Sequence, residues 1–247
     1  SLFILIPFIS LMSLGLLMVT SASIYIADDI YGNPFHFASR QMFFISIGLI
    51  VMLLFLSIPS NLLYKLDWVF MLISILLLLA LFIPDVGTSV NGSIRWIRLG
   101  PINIQPSEIC KFSLILYVSG YSVRRISEID SLRSFLKPLF LLFIISVLIM
   151  GQPDLGSTAI ICMLVVAILF YAGISFFQFS LLSILIGLLG VVAISSSPMR
   201  IARMMAYMDP FDKEVVLGSG YQLSNSLISI GQGGWLGLGI VTVSYTH

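Results

Sequence analysis

Charge is scarce in this sequence. Among 247 residues there are 12 basic and 11 acidic side chains, 9% in all, against 59% hydrophobic residues and a mean hydropathy of +1.10. A water-soluble fold cannot hide that much apolar surface, so lipid must be part of the solvent. The net charge of +1 discriminates little, and no nucleic-acid partner is expected. The two cysteines, Cys110 and Cys162, lie in apolar stretches and read as buried thiols, without metal-ligand spacing. His36 and His247 stand alone, with no partner for catalysis or metal binding. No basic leader precedes the first apolar run, which opens at Ser1. The chain is therefore expected to be a fragment.

The few charges mark out long uncharged runs. A membrane-crossing helix needs about 20 apolar residues. The runs predict seven transmembrane helices, at 2–24, 41–58, 67–84, 104–121, 137–152, 155–172 and 177–195. The last two come from one charge-free stretch, divided near "AGISFFQFS" at 172–180. No run shows the alternation of barrel strands, so the expected fold class is an all-α integral membrane protein with its bundle over 1–195. Residues 196–239 are expected to form a large extracellular or periplasmic loop.

Loop charge suggests the orientation. Residues 122–136 hold Arg124, Arg125 and Arg133, with Lys137 just beyond, and read as cytoplasmic together with 59–66 and its Lys65. That puts 25–40, 85–103 and 196–247 outside. Six basic residues then lie outside: Arg40, Arg95, Arg98, Arg200, Arg203 and Lys213. They need a separate reason.

"SVNGSIRWIRLGPINIQPSE", residues 89–108, is the most polar of the outside segments. Arg95 and Arg98 are three apart and would share a face if helical. They suit either anchoring to lipid phosphate beside Trp96 or recognition of an anionic ligand. Asn91-Gly92 and Gly100-Pro101 are turn signals. Glu108 and Lys111 form an i, i+3 pair inside an apolar helix, either a structural pin or part of a functional site. Asp154, in "GQPDLGST", is either a helix N-terminal residue or a carboxylate facing a cavity, within reach of Lys111 or a ligand. Arg200 and Arg203 repeat the paired spacing and read as a solvated face or a second anion contact. Farther on, Gln222, Asn225, Ser226 and Ser229 fall on one face of a predicted half-buried helix.

Several of these stretches carry a family resemblance. "LGLLMVTSASIYIA" at 14–27, "NPFHFASRQ" at 33–41, "SVNGSIRWIRLGPINIQPSEICK" at 89–111, "QPDLGS" at 152–157 and "MDPFDKEVVLGSGYQLSNSLISIGQGGWLGLG" at 208–239 occur in the order found in the SEDS family (FtsW, RodA and SpoVE proteins). The wording of "SVNG" and "DPF…GSGYQL" resembles the FtsW cell-division branch more than the elongation branch. The resemblance implies a bundle of about ten helices in the bacterial inner (plasma) membrane, working at the division septum. It implies a peptidoglycan glycosyltransferase that polymerises lipid II, the undecaprenyl-diphosphate-linked disaccharide-pentapeptide. A class B penicillin-binding protein and other divisome proteins are the implied partners.

Such transfer needs a carboxylate base at the acceptor hydroxyl and positive charge or a metal at the departing diphosphate. No cofactor is assigned, and a divalent cation is one candidate for that second task. Arg95, Arg98, Arg200 and Arg203 are the other candidates, with Gln222, Asn225, Ser226 and Ser229 lining a sugar cleft. Glu108, Lys111 and Asp154 are expected to form an intramembrane charged network rather than the base. The base implied by the family lies in a His-Thr-Asp-Phe motif with no match here. The likeness stops at Ile240, "VSYTH" resembles a translated sequencing-adapter read, and residues 240–247 are expected to be a non-native tail. No catalytic residue is thus assigned, and the chain alone is expected to be inactive. Two other readings stay open. A lipid II flippase would show intramembrane charges too, and a divisome scaffold would need no chemistry.

Overall fold

The structure, a computed structural model, describes residues 2–84, 86–90, 93–100, 102–129, 131–218, 220–234 and 237. The turn residues Asn91, Gly92 and Pro101 and the tail 240–247 lie outside the described residues. By internal contacts the chain divides into two compact units, residues 1–58 with 202–247, and residues 59–201.

The first unit contains α1 (Leu2–Tyr31) and α2 (His36–Ser57), packed against each other. The helix expected over 2–24 continues through the first charges, Asp28 and Asp29, to Tyr31. Charge does not end a helix; loss of backbone hydrogen bonds does. Gly32 takes φ +61° and its N–H closes on the Asp28 carbonyl at 2.8 Å, the left-handed exit that a Cβ would oppose. Side chains around α1 are exposed, Phe3 by 92% and Leu11 by 69%, as suits a helix whose solvent is lipid.

The second unit is built around α4 (Pro106–Arg124). It packs on α3 (Ser60–Ala80) and α6 (Leu155–Tyr171), with α5 (Leu132–Met150) and α7 (Phe176–Ser195) completing the group. Met71, Leu78, Leu114, Val118, Ile145, Ile161 and Val165 form its core. The α4 helix is the least apolar of the five yet the most enclosed, burying Ser107, Cys110, Ser113, Gly120 and Ser122. Small side chains let helices approach, and hydroxyls join them. Ser74 on α3 donates to Ser113 at 2.6 Å, and the Tyr121 hydroxyl donates to the Ser134 carbonyl of α5 at 3.0 Å. Cys110 and Cys162 are both buried and free.

Helix ends again follow caps rather than charges. Ser131 caps α5 through the Ser134 N–H, so that helix starts at Leu132, ahead of Lys137. Between α6 and α7 the chain turns at Gly173 (φ +95°), and Ser175 with Gln178 makes a capping box. Among the described residues five helices are long and apolar enough to cross a membrane: α1 from Phe3, α2, α3, α5 and α7. The α6 helix is apolar but has 17 residues, and α4 carries Glu108, Lys111 and Arg124.

One part of the all-helical expectation needs correction. Between α3 and α4 lies a three-stranded antiparallel sheet of β1 (Gly87–Val90), β2 (Ser93–Leu99) and β3 (Ile102–Ile104), in the order β1-β2-β3. Ile94, Trp96, Ile97, Ile102 and Ile104 favour strands, and Gly100 at φ +63° allows the tight β2–β3 turn. Arg95 and Arg98 therefore do not share a helical face.

Beyond the bundle lie α8 (Pro198–Met208), the short α9 (Lys213–Val216) and α10 (Tyr221–Gly233). In the first unit Ser224 of α10 is buried, donating to the Gly220 carbonyl at 2.9 Å and also to that of Pro210. Gly220 lies so close to Val215 and Ala206 that a Cβ would collide with Val215.

The second unit holds a similar close fit. Gly120 of α4 lies directly against the carboxylate of Asp67 on α3, where a Cβ would overlap Oδ2. Gly120→Ala is therefore expected to destabilise the protein by about 1–3 kcal/mol, the usual cost of overpacking. Comparing unfolding midpoints in detergent checks this. No change would show that the two helices separate freely at this point.

Candidate functional site

At the sheet end of the second unit, β2 meets the α5–α6 turn. In the β1–β2 register Thr88 faces Trp96 and Ser89 faces Ile94, so Arg95 is an unpaired bulge residue. A bulge re-aims the side chain it carries. Arg95 Nη2 donates to the Pro153 carbonyl at 2.6 Å, and its Nε lies 3.8 Å from Asp154 Oδ2. The neighbouring Ser93 hydroxyl donates to the Gln152 carbonyl at 3.2 Å. The sheet is thus clasped to residues 152–154.

Asp154 is also the N-cap of α6. Its Oδ1 accepts the Ser157 N–H at 3.1 Å and its Oδ2 accepts the Ser157 hydroxyl at 2.8 Å. A carboxylate there suits the positive end of the helix. Asp154 therefore pairs with Arg95 rather than with Lys111, because the bulge delivers a cation to its own turn. Glu108 and Lys111 pair with each other on α4 at 2.7 Å. The expected three-residue network is, among the described residues, two separate pairs.

Arg98 is exposed on β2, opposite Asn103, with no ion-pair partner among the described residues. Below the sheet, Phe82, Pro84, Gly87, Ile94, Gln152 and Pro153 line a hollow of about 400 Å³. The Gln152 side chain is buried, and its Nε2 has no hydrogen-bond partner. This hollow offers apolar walls and one free amide donor.

The α8 arginines also separate in role. Arg200 Nη1 donates to the Ala193 carbonyl at 2.7 Å, satisfying the C-terminal end of α7 where a cation is favoured. Arg203 is exposed. On α10, Gln222, Asn225, Ser226 and Ser229 do form one polar face. Within it Asn225, Ser226 and Ser229 bond to the carbonyls of Tyr221, Gln222 and Asn225, each four residues earlier. Their remaining lone pairs stay open to a ligand.

Of the four arginines proposed from sequence, two are thus engaged in holding helix ends, and Arg98 and Arg203 remain available to an anion. Reading the residues in order missed Ser93, Gln152 and Ser157. Only the D-x-x-S spacing from Asp154 to Ser157 in "DLGS" signalled a cap. Among the described residues no group of His, Cys, Asp and Glu is arranged to hold a metal ion.

Known proteins share this sequence and fold. A family model described as "Cell cycle protein", covering FtsW, RodA and SpoVE, matches residues 1–245. A Legionella pneumophila protein named "Probable peptidoglycan glycosyltransferase FtsW" is 40% identical over 93% of this chain and 58% of its own length. Its namesake from Aliivibrio salmonicida is 42% identical over 94% of this chain and 57% of its own length. The chain thus spans somewhat over half of these relatives. A solved structure described as "Structural coordination of polymerization and crosslinking by a peptidoglycan synthase complex" matches 95% of this chain and 66% of its own, with TM-score 0.72 and 26% identity. The rod shape determining protein RodA of Thermus thermophilus matches in fold, with TM-score 0.51, 20% identity and 87% of this chain covered. With a helical membrane bundle, the sheet between α3 and α4 and a family match over almost every residue, this multi-pass membrane protein belongs to the FtsW/RodA/SpoVE family.

Proposed function

We propose that the protein works as a peptidoglycan glycosyltransferase of cell division, polymerising lipid II at the septum beside a class B penicillin-binding protein. The observation that carries this reading is the identity of about 40%, over nearly the whole chain, to relatives named as such transferases. In this role Arg98, in the second unit, contacts the diphosphate of the lipid substrate, and Arg203, in the first, is a separate candidate contact for an anionic group. The α10 face of Gln222, Asn225, Ser226 and Ser229 meets the substrate's sugars. Glu108 with Lys111, and Arg95 with Asp154, brace the elements that present them.

The distribution of buried polarity favours polymerisation over transport. A flippase needs a polar path through both leaflets. Within the second unit the described buried carboxylates, Asp67 and Asp154, sit at opposite ends of the helices, and the core between them is mainly apolar, its buried Ser74 and Ser113 bonded to each other rather than open to a path. The test uses the protein expressed from its own gene, with its penicillin-binding partner, and lipid II as substrate. Glycan strands are expected on gels, and Arg98→Ala should cut their formation about tenfold or more, since a charge-assisted contact is worth about 1.5–3 kcal/mol. Movement of labelled lipid II across vesicles without any polymer would favour the flippase instead.

A further inference from the structure

The second unit has another hollow, at the end away from the sheet and not used by the proposed transfer. It lies among the start of α3, the end of α4 and the start of α5, with a volume of about 520 Å³. Its cations are Lys65, Arg124, Arg125 and Lys137, drawn from these three regions, and its one acid is Asp67. Asp67 is already matched: Arg124 Nη1 lies 2.8 Å from its Oδ2. Arg125 bonds Glu128 at 2.9 Å, an exposed pair that water screens. Lys65 and Lys137 are exposed and have no ion-pair partner among the described residues. The hollow therefore carries an uncompensated positive charge over a neutral floor.

Its surroundings define the ligand further. Trp68 and Tyr64 line it, aromatics of the kind that sit at headgroup level. Next to its lining residues along the same two helices come exposed apolar side chains, Leu62 and Leu66 on α3 and Leu136 and Phe140 on α5. A soluble anion would gain nothing from these. A lipid would place its phosphate among the lysines and its acyl chains along the two helices. We propose that this hollow binds the headgroup of an anionic phospholipid. The loop charge that reads 59–66 and 122–136 as cytoplasmic places this lipid in the inner leaflet, whose negative surface attracts such basic clusters.

The test is a titration of the detergent-purified full chain with cardiolipin, phosphatidylglycerol or phosphatidylcholine, followed by native mass spectrometry. Cardiolipin and phosphatidylglycerol are expected to stay bound in preference to phosphatidylcholine. The double variant Lys65→Gln/Lys137→Gln should weaken anionic-lipid binding by about 25-fold, five-fold for each lysine near the headgroup. Lys65→Arg/Lys137→Arg should keep it. Both lysines are exposed, so an unchanged unfolding midpoint will show that the variants fold. Three results would overturn the proposal: equal retention of phosphatidylcholine, unchanged binding in a folded Gln variant, or preferential displacement by an undecaprenyl diphosphate lipid.

Discussion

Arg124→Ala is expected to lower stability by about 3–5 kcal/mol, the usual cost of leaving a buried charge without its partner. Asp67 is 2% exposed, sits against Gly120, and has Arg124 as its ion-pair partner among the described residues. Arg124 does more than pair with it. Its Nη1 also reaches the Tyr64 carbonyl at 3.4 Å, and its guanidinium carbon lies 5.0 Å from the Tyr64 ring centre. It thus ties the end of α4 to the start of α3. Because its side chain is 36% exposed, the loss should fall at the lower end of that range. Thermal unfolding in detergent measures it. The informative control is the double variant Asp67→Leu/Arg124→Met, which removes both charges and should recover most of the loss. If the single and double variants unfold together, the pair is not what holds α3 to α4.

Asp154→Ala should cost about 1–2 kcal/mol by a different route, combining a lost helix cap worth about 1 kcal/mol with the loss of a half-exposed ion pair to Arg95 worth up to about 1 kcal/mol. The carboxylate holds two groups of Ser157 and faces Arg95, so one substitution releases both the α6 start and the sheet. Asp154→Asn separates the two effects. Asparagine caps a helix about as well as aspartate, so only the ion-pair share should be lost. A matching drop in both variants would assign the whole effect to charge. No difference between Asp154→Asn and the unaltered protein would show that Arg95 is held by the Pro153 carbonyl alone.

Much of the fold can be read along the chain because a membrane demands long apolar helices, and such helices announce themselves by composition. The α1–α7 helices overlap the seven apolar runs. Their ends shifted where charges had been used as boundaries, as at Asp28 and Lys137, because capping groups such as Gly32 and Ser131 end or start a helix and a charge does not. The sheet between α3 and α4 was missed as a sheet. Its arginine spacing resembles a helix face, and its strands of 4, 7 and 3 residues are too short for a periodicity to show.

The candidate site divides in the same way. Polar side chains on one short helix are visible in sequence, and Gln222, Asn225, Ser226 and Ser229 share a face of α10 as helical spacing requires. The spacing does not reveal that Asn225, Ser226 and Ser229 already bond their own helix. Nor does it distinguish Arg200, which caps α7, from the exposed Arg203.

The sequence by itself determined that lipid surrounds this protein, that helices carry it through, and which family it joins, because hydropathy and motif order are local properties of the chain. Only the tertiary structure decided which charges are occupied. Arg95 meets Asp154, and Asp67 meets Arg124, across more than fifty intervening residues. Such pairs depend on where a bulge re-aims a strand and where a glycine lets two helices touch. Those choices are made when distant segments pack, and no local pattern records them.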